Sequence, residues 1–132
     1  MAAVHTFRRQ RRLTHNREYQ AAYAARLKKA AGPLIVFGRP NGLDDHRLGL
    51  AVGRQVGPAY RRHRIKRLLR EAFRLHHAEL VKESGATERY DLVVRVRPHP
   101  PASLEEYTRW LLDAARRIDR EHCKRVARED SA

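Results

Sequence analysis

The sequence predicts a single compact α+β domain, a small sheet of three to four strands with helices packed against it, in the order α-β-β-α-β-α. Three observations carry this reading. At 132 residues the chain is long enough for one modest core. Tyr90, Leu92, Val94 and Val96 alternate strictly, the period of a strand with one buried face. Leu104, Tyr107, Leu111, Ala114 and Ile118 instead recur at three- and four-residue steps, the stripe of a helix that covers a core.

Taken in order, residues 1–12 carry Arg8, Arg9, Arg11 and Arg12 among few apolar residues, which predicts a basic arm that stays mobile without its partner. The domain proper is expected over 13–122, with a C-terminal tail over 123–132. Thr14 or Asn16 supplies a cap for a first helix running to about Lys29, with Tyr19, Tyr23 and Leu27 on one face. Gly32-Pro33 ends that segment. Leu34 to Phe37 reads as a short strand. Pro40-Asn41-Gly42 gives turn chemistry, and Arg47 to Gly53 reads as a second strand, so the pair is expected to form a hairpin with a longish loop. Gly57-Pro58 precedes a long helix from about Ala59 to Val81, and Gly85 lies in the turn after it. Tyr90 to Arg97 is the next strand. Pro98, Pro100 and Pro101 separate it from the last helix, which Ser103 and Glu106 open as a capping box.

Charge narrows the function. Lys plus Arg number 29 against 15 Asp plus Glu, a formal net charge of +14. A field of that sign favours a polyanion, either nucleic acid or an anionic membrane surface. The membrane reading is the weaker, because no apolar run approaches the roughly 20 residues that span a bilayer. The N-terminus also lacks the apolar stretch of a signal peptide. One cysteine, Cys123, excludes an internal disulfide framework and fits a reducing, cytoplasmic setting. The eight histidines show no zinc-ligand spacing, so no metal site is expected.

The most informative stretch is Arg61 to Arg74, with seven cations and one anion in fourteen residues. On a helical wheel Ile65, Leu68, Leu69, Ala72 and Phe73 share one sector, while His63, Arg64, Lys66, Arg67, Arg70 and Arg74 occupy the opposite arc. Solvated faces usually mix signs, because like charges at i, i+4 repel. The row Lys66, Arg70, Arg74 therefore points to a polyanion laid against it. Arginine dominates, which suits forked grips on phosphate. Strand alternation suggests a second surface. With Leu34 and Val36 in the core, Phe37 and Arg39 face away, as do Arg95 and Arg97. Gly49, Ala51 and Gly53 oppose Leu48, Leu50 and Val52. The open face is then a shallow groove of small residues, an aromatic and arginines, edged by Tyr19 and Tyr23, in which a single strand can stack and be neutralised.

No catalytic constellation of side chains is present. Gly49 to Gly53 lacks the Lys-Ser/Thr ending of a phosphate loop, and Ser103 is accounted for as a cap. The sequence predicts a protein that binds without cutting.

The run Arg62-His63-Arg64-Ile65-Lys66-Arg67-Leu68-Leu69-Arg70-Glu71-Ala72-Phe73-Arg74 resembles the signature of the bacterial ribonuclease P protein component. Arg47 to Gly57, Tyr90 to Val94 and Arg17 to Gln20 are similar to other segments of that family, so the likeness runs in order from about residue 8 to residue 118. The resemblance implies that Arg61, Arg62, His63, Arg64, Lys66, Arg67, Arg70 and Arg74 dock on the ribonuclease P RNA. It implies that Tyr19, Tyr23 and Phe37 hold the 5′ leader of precursor tRNA, and Arg39, Arg95 and Arg97 of the open face join them as expected leader contacts. Hydrolysis would belong to the RNA and its Mg²⁺, with no cofactor bound by the protein alone and no small-molecule substrate. It further implies a left-handed β-α-β crossover, as in the second domain of a small-subunit ribosomal protein, against the general right-handed rule. His63 stands where the family usually has Asn, and a histidine lacks the amide's paired donor and acceptor. The alternatives are a structural or ribosomal RNA-binding protein with no role in cleavage, a DNA-binding protein, and a nuclease in its own right.

Overall fold

The computed structural model describes residues 11–80 and 88–131. Its elements are α1 (Asn16–Ala24), β1 (Leu27–Ala31), β2 (Leu34–Pro40), β3 (Arg47–Ala51), α2 (Ala59–His76), β4 (Tyr90–Val96) and α3 (Leu104–Ser131), with short 3-10 turns at Arg54–Val56 and His77–Glu79. The strands form one mixed sheet in the order β1-β2-β4-β3. The α+β class holds, and the observed order is α-β-β-β-α-β-α.

The extra strand replaces the second half of the expected first helix. Residues 25–31 are good helix formers, but α1 stops at Ala24, and Arg26 turns the chain with φ +60°. Gly32 then takes φ +54° and, with Pro33, closes a tight hairpin in which Ala31 pairs with Leu34. Glycine at the first central position is the pattern of a type II′ hairpin turn. A Cβ at Gly32 would lie 2.4 Å from the Trp110 ring, so the turn is also a seat for α3.

The expected hairpin between residues 34–37 and 47–53 does not form. β2 runs on through Gly38-Arg39-Pro40, and its second edge is taken by β4, antiparallel, with Leu34 opposite Val96 and Arg39 opposite Asp91. β3 passes beyond β4 and pairs with it in parallel, Leu48 opposite Leu92 and Leu50 opposite Val94. A parallel neighbour needs a crossover, and α2 supplies it. The outer edge of β3 is closed by other means. Leu13 N–H donates to the Leu48 carbonyl at 3.0 Å, and Leu50 N–H donates to the Tyr19 hydroxyl at 3.2 Å.

One face of the sheet carries α2 and α3, and the core lies between them and the strands. Alternation delivers Leu34, Val36, Leu48, Leu92, Val94 and Val96 to this face. The helices bring Ile65, Leu69, Ala72 and Phe73 from α2, and Tyr107, Leu111, Ala114 and Ile118 from α3, the two apolar stripes the sequence predicts. α3 lies on β1 and β2, while α2 packs on α3 and β3. The Ser103–Glu106 capping box is formed, with Glu106 N–H donating to Ser103 Oγ at 3.1 Å and Ser103 N–H to the Glu106 carboxylate at 3.1 Å. α1 is capped by His15, not by Thr14 or Asn16. Glu18 reaches back to accept from the N–H groups of both His15 and Thr14.

Residues 1–10 of the expected arm lie outside the described residues, as do Val81 and Gly85. The end of the arm is held: Arg11 pairs with Asp45 at 3.1 Å and Arg12 bridges to Leu48. α2 ends at His76 rather than near Val81, and α3 continues unbroken through residues 123–131, the expected tail.

His46 and Tyr90 tie the loop before β3 into the core. Tyr90 N–H donates to His46 Nδ1 at 3.0 Å, and the Tyr90 hydroxyl donates to Asp119 at 2.6 Å. Burial, with help from the charges of Arg89 and His77, holds the His46 ring well below its ordinary 6.5, at about 4. Between those two values the unfolded chain binds a proton that the folded chain refuses, so stability falls as pH drops through the window. The loss should reach about 3 kcal/mol by the lower end. Urea midpoints measured between about pH 7 and about pH 4 check this, and His46→Gln should flatten the profile.

Candidate nucleic-acid interface

The second face of the sheet is only half covered, by α1. Tyr19, Tyr23 and Phe37 meet there with Leu13, Ala22 and Val93 in a small cluster separate from the main core. Tyr23 and Phe37 stand edge to face, 4.8 Å between centroids. All three aromatics stay partly exposed, half floor and half surface. Gly49 makes room for Tyr19: a Cβ there would lie 2.7 Å from the ring, which explains why a small residue stands on β3 at this point. The sequence places these three aromatics together, and the structure brings them together.

The arginines are distributed differently. Arg39 stands opposite Asp91 at one end of the β2–β4 ladder, whereas Arg95 stands opposite Ile35 near the other. Arg95 and Arg97 are exposed and line an open cavity of about 500 Å³ with Ile35, Ala51 and Gln55. The groove is thus cationic at both ends and aromatic between. β1, absent from the sequence reading, adds Lys28, whose ammonium lies 5.8 Å from the Phe37 ring centre. Alternation would have placed Lys28 beside Phe37 had the strand been recognised.

Arg47 fixes α1 over this face. Its guanidinium grips Asp91 through two bonds of 2.8 Å and reaches Glu18 at 2.8 Å. Asp91 is wholly buried and also accepts from Asn41 Nδ2 at 3.0 Å. Hydrogen bonding to Asp91 raises the Arg47 pKa above its already high value. Burial pushes the Glu18 carboxyl up, but the His15 and Thr14 N–H groups and Arg47 outweigh it and hold the carboxyl below the usual range. One arginine therefore binds β3, β4 and the first turn of α1.

The cationic face of α2 lies in the other layer. His63, Arg64, Arg67 and Arg70 are exposed and Lys66 is half-buried, and none of the five has an ion-pair partner among the described residues. Three of the predicted contacts are engaged within the protein instead. Arg61 donates to the His99 carbonyl, Arg62 Nε to the Gly57 carbonyl at 3.2 Å, and Arg74 pairs with Glu71. The like-charge row is therefore shortened to Lys66 and Arg70, because Glu71 neutralises its last member. The two surfaces adjoin at the edge of β3, where the charge of Arg70 reaches the Tyr19 phenol. Burial still dominates there and raises the Tyr19 pKa.

A family model of ribonuclease P matches residues 7–119. The chain belongs to the ribonuclease P protein family. It is 42% identical over 79 residues to the ribonuclease P protein component of Chromobacterium violaceum and 41% identical over 76 residues to that of Pseudomonas putida. Those stretches take in 59% and 56% of this chain and 65% and 57% of the relatives, so the match spans less than two thirds of their length. The fold is that of the ribonuclease P protein from Thermotoga maritima, with a TM-score of 0.65 at 28% identity over 80% of this chain and 97% of that one. The Staphylococcus aureus protein superposes with a TM-score of 0.62 at 25% identity, covering 79% and 91%. His63, where the resemblance leads one to expect asparagine, is exposed on α2.

Arg47→Ala leaves Asp91 buried with its hydrogen bond from Asn41 but without its cation, and should cost about 3–5 kcal/mol, the range for half of a buried ion pair. The loss should register as a lower urea midpoint and as faster amide exchange at Leu50, whose N–H rests on the Tyr19 hydroxyl. A midpoint unchanged from the parent protein would dismiss Arg47 as the anchor of α1.

Proposed function

We propose that this chain is the protein subunit of a ribonuclease P ribonucleoprotein, binding a catalytic RNA through α2 and the 5′ leader of precursor tRNA in the groove under α1. Hydrolysis that matures the tRNA 5′ end, with its Mg²⁺, is assigned to the RNA. The observation that carries the RNA contact is the face of Arg64, Lys66, Arg67 and Arg70, four cations with no acidic partner among the described residues. A compact domain keeps such a face at a cost in self-repulsion, which a phosphate backbone removes. Arg61, Arg62 and Arg74 act in this reading through the protein as well, positioning the helix and its approaches. The aromatic centre and cationic ends of the groove match what an unpaired strand needs, stacking for bases and charge for phosphates.

Among the described residues, no group of three or more His, Cys, Asp or Glu side chains converges to hold a metal ion. No helix among the described residues is long and apolar enough to cross a membrane.

Three outcomes are expected. Added to a bacterial ribonuclease P RNA at low Mg²⁺, the protein should restore correct 5′ cleavage of precursor tRNA. Binding without such rescue, even with RNA from the same source, would instead favour a structural RNA-binding protein. With about five phosphates neutralised, log K should fall with log salt at a slope of roughly −3.5 to −4.5. Arg67→Ala should weaken RNA-subunit binding by about 1–3 kcal/mol and make the slope shallower by about one; a change confined to leader affinity would show that the two surfaces are wrongly divided.

A further inference from the structure

Tyr60 sits in the first turn of α2 and is 79% exposed, the most exposed large hydrophobic side chain among the described residues. Single exposed apolar residues are common and carry no message alone. This one lies at the mouth of a cleft of about 340 Å³, with Arg61, Arg64, Ile65, Pro101 and Tyr107 as the other lining residues. That volume is at the low end of the roughly 300–1,000 Å³ of small-ligand sites. The lining contains two arginines and no carboxylate.

The walls are braced. Arg61 donates to the His99 carbonyl, and the His99 ring lies between the Arg97 carbonyl at 2.8 Å and the Tyr107 hydroxyl at 2.7 Å. Tyr107 is fully buried, and the charges of both Arg64 and Arg61 reach its phenol. The linker from β4 to α3 is thereby pinned to the start of α2. Arg64 is exposed and has no ion-pair partner among the described residues. A flat ring in the open, an apolar wall and a free guanidinium one helical turn away together fit a base and its phosphate.

We infer that this cleft holds one unpaired nucleotide of the RNA subunit, its base stacked on Tyr60 and its phosphate gripped by Arg64. The inference rests on the proposed RNA-binding role of α2 and adds to it a contact of a different kind, with a base. A second copy of the chain is the competing occupant, and charge opposes it: each copy carries a formal +14.

The test is equilibrium binding of the full chain to a bacterial ribonuclease P RNA, comparing Tyr60→Ala, Tyr60→Phe, Tyr60→Leu and Arg67→Ala. Stacking predicts that Tyr60→Ala weakens binding about tenfold, within the range for loss of one base–aromatic contact. Tyr60→Phe should bind as the parent does and Tyr60→Leu should not recover, with the salt slope unchanged in all three. Chemical probing should show one unpaired nucleotide shielded by the parent protein and open with Tyr60→Ala. If Tyr60→Ala binds normally while Arg67→Ala is weak, the inference fails and the role of α2 stands. If neither substitution matters, the role of α2 fails as well. An effect that requires the precursor leader, or a protein dimer in the absence of RNA that Tyr60→Ala dissolves, would overturn the inference by naming another occupant.

Discussion

Arg47 lies between two carboxylates, Asp91 in the sheet and Glu18 in the first turn of α1, and the half-covered face of the molecule is organised around it. Asp91 is fully buried, so its charge has no recourse to water. Two short bonds from Arg47 and one from Asn41 satisfy it. A buried pair of this kind adds little net stability against an apolar substitute, yet it is costly to break, which makes it a device for specifying one arrangement. Here the arrangement is the height and angle of α1 over the sheet. Tyr19 and Tyr23 ride on that helix, so the width of the groove is set by an electrostatic contact at its end.

The excess of positive charge is sorted by position. Arg11, Arg47, Arg74 and Arg125 meet carboxylates, and Arg61, Arg62 and Arg97 cap carbonyls at turns and linkers. Arg125 closes the C-terminal end of α1 by donating to the carbonyls of Ala25 and Arg26. Arg64, Lys66, Arg67 and Arg70, on the middle of α2, have no acidic partner among the described residues. The composition alone reports the total; the fold decides which cations are structural and which are left for a partner.

Much of this was legible because it is encoded locally. The amphipathic face of α2, the capping box of α3 and the alternation in β4 need only a few neighbouring residues to be recognised, and the structure has each of them. β1 was not legible. Leu27 to Ala31 favours a helix, and its strand state depends on β2 offering an edge and on Gly32-Pro33 allowing the return. The partner of β3 was misread for a related reason. The turn residues 40–42 show that the chain reverses, but not that β4, arriving some fifty residues later, will occupy the edge between. In the candidate site, alternation sufficed for Phe37, Arg39, Arg95 and Arg97. The roles of Arg61 and Arg74 depend on His99 and Glu71, contacts that a helical wheel of cations does not weigh.

The closure of β3 has a consequence for how the protein behaves in isolation. An edge strand with free N–H and C=O groups is a template on which another chain can lay a strand and begin a filament. On β3 the Leu48 carbonyl and the Leu50 amide are occupied, the latter by the hydroxyl of Tyr19. The same tyrosine therefore offers its ring to the groove and its oxygen to the sheet edge. Ring and hydroxyl answer to different pressures, recognition of a partner and freedom from self-assembly, so a phenylalanine there would preserve the first while leaving a growth point for the second.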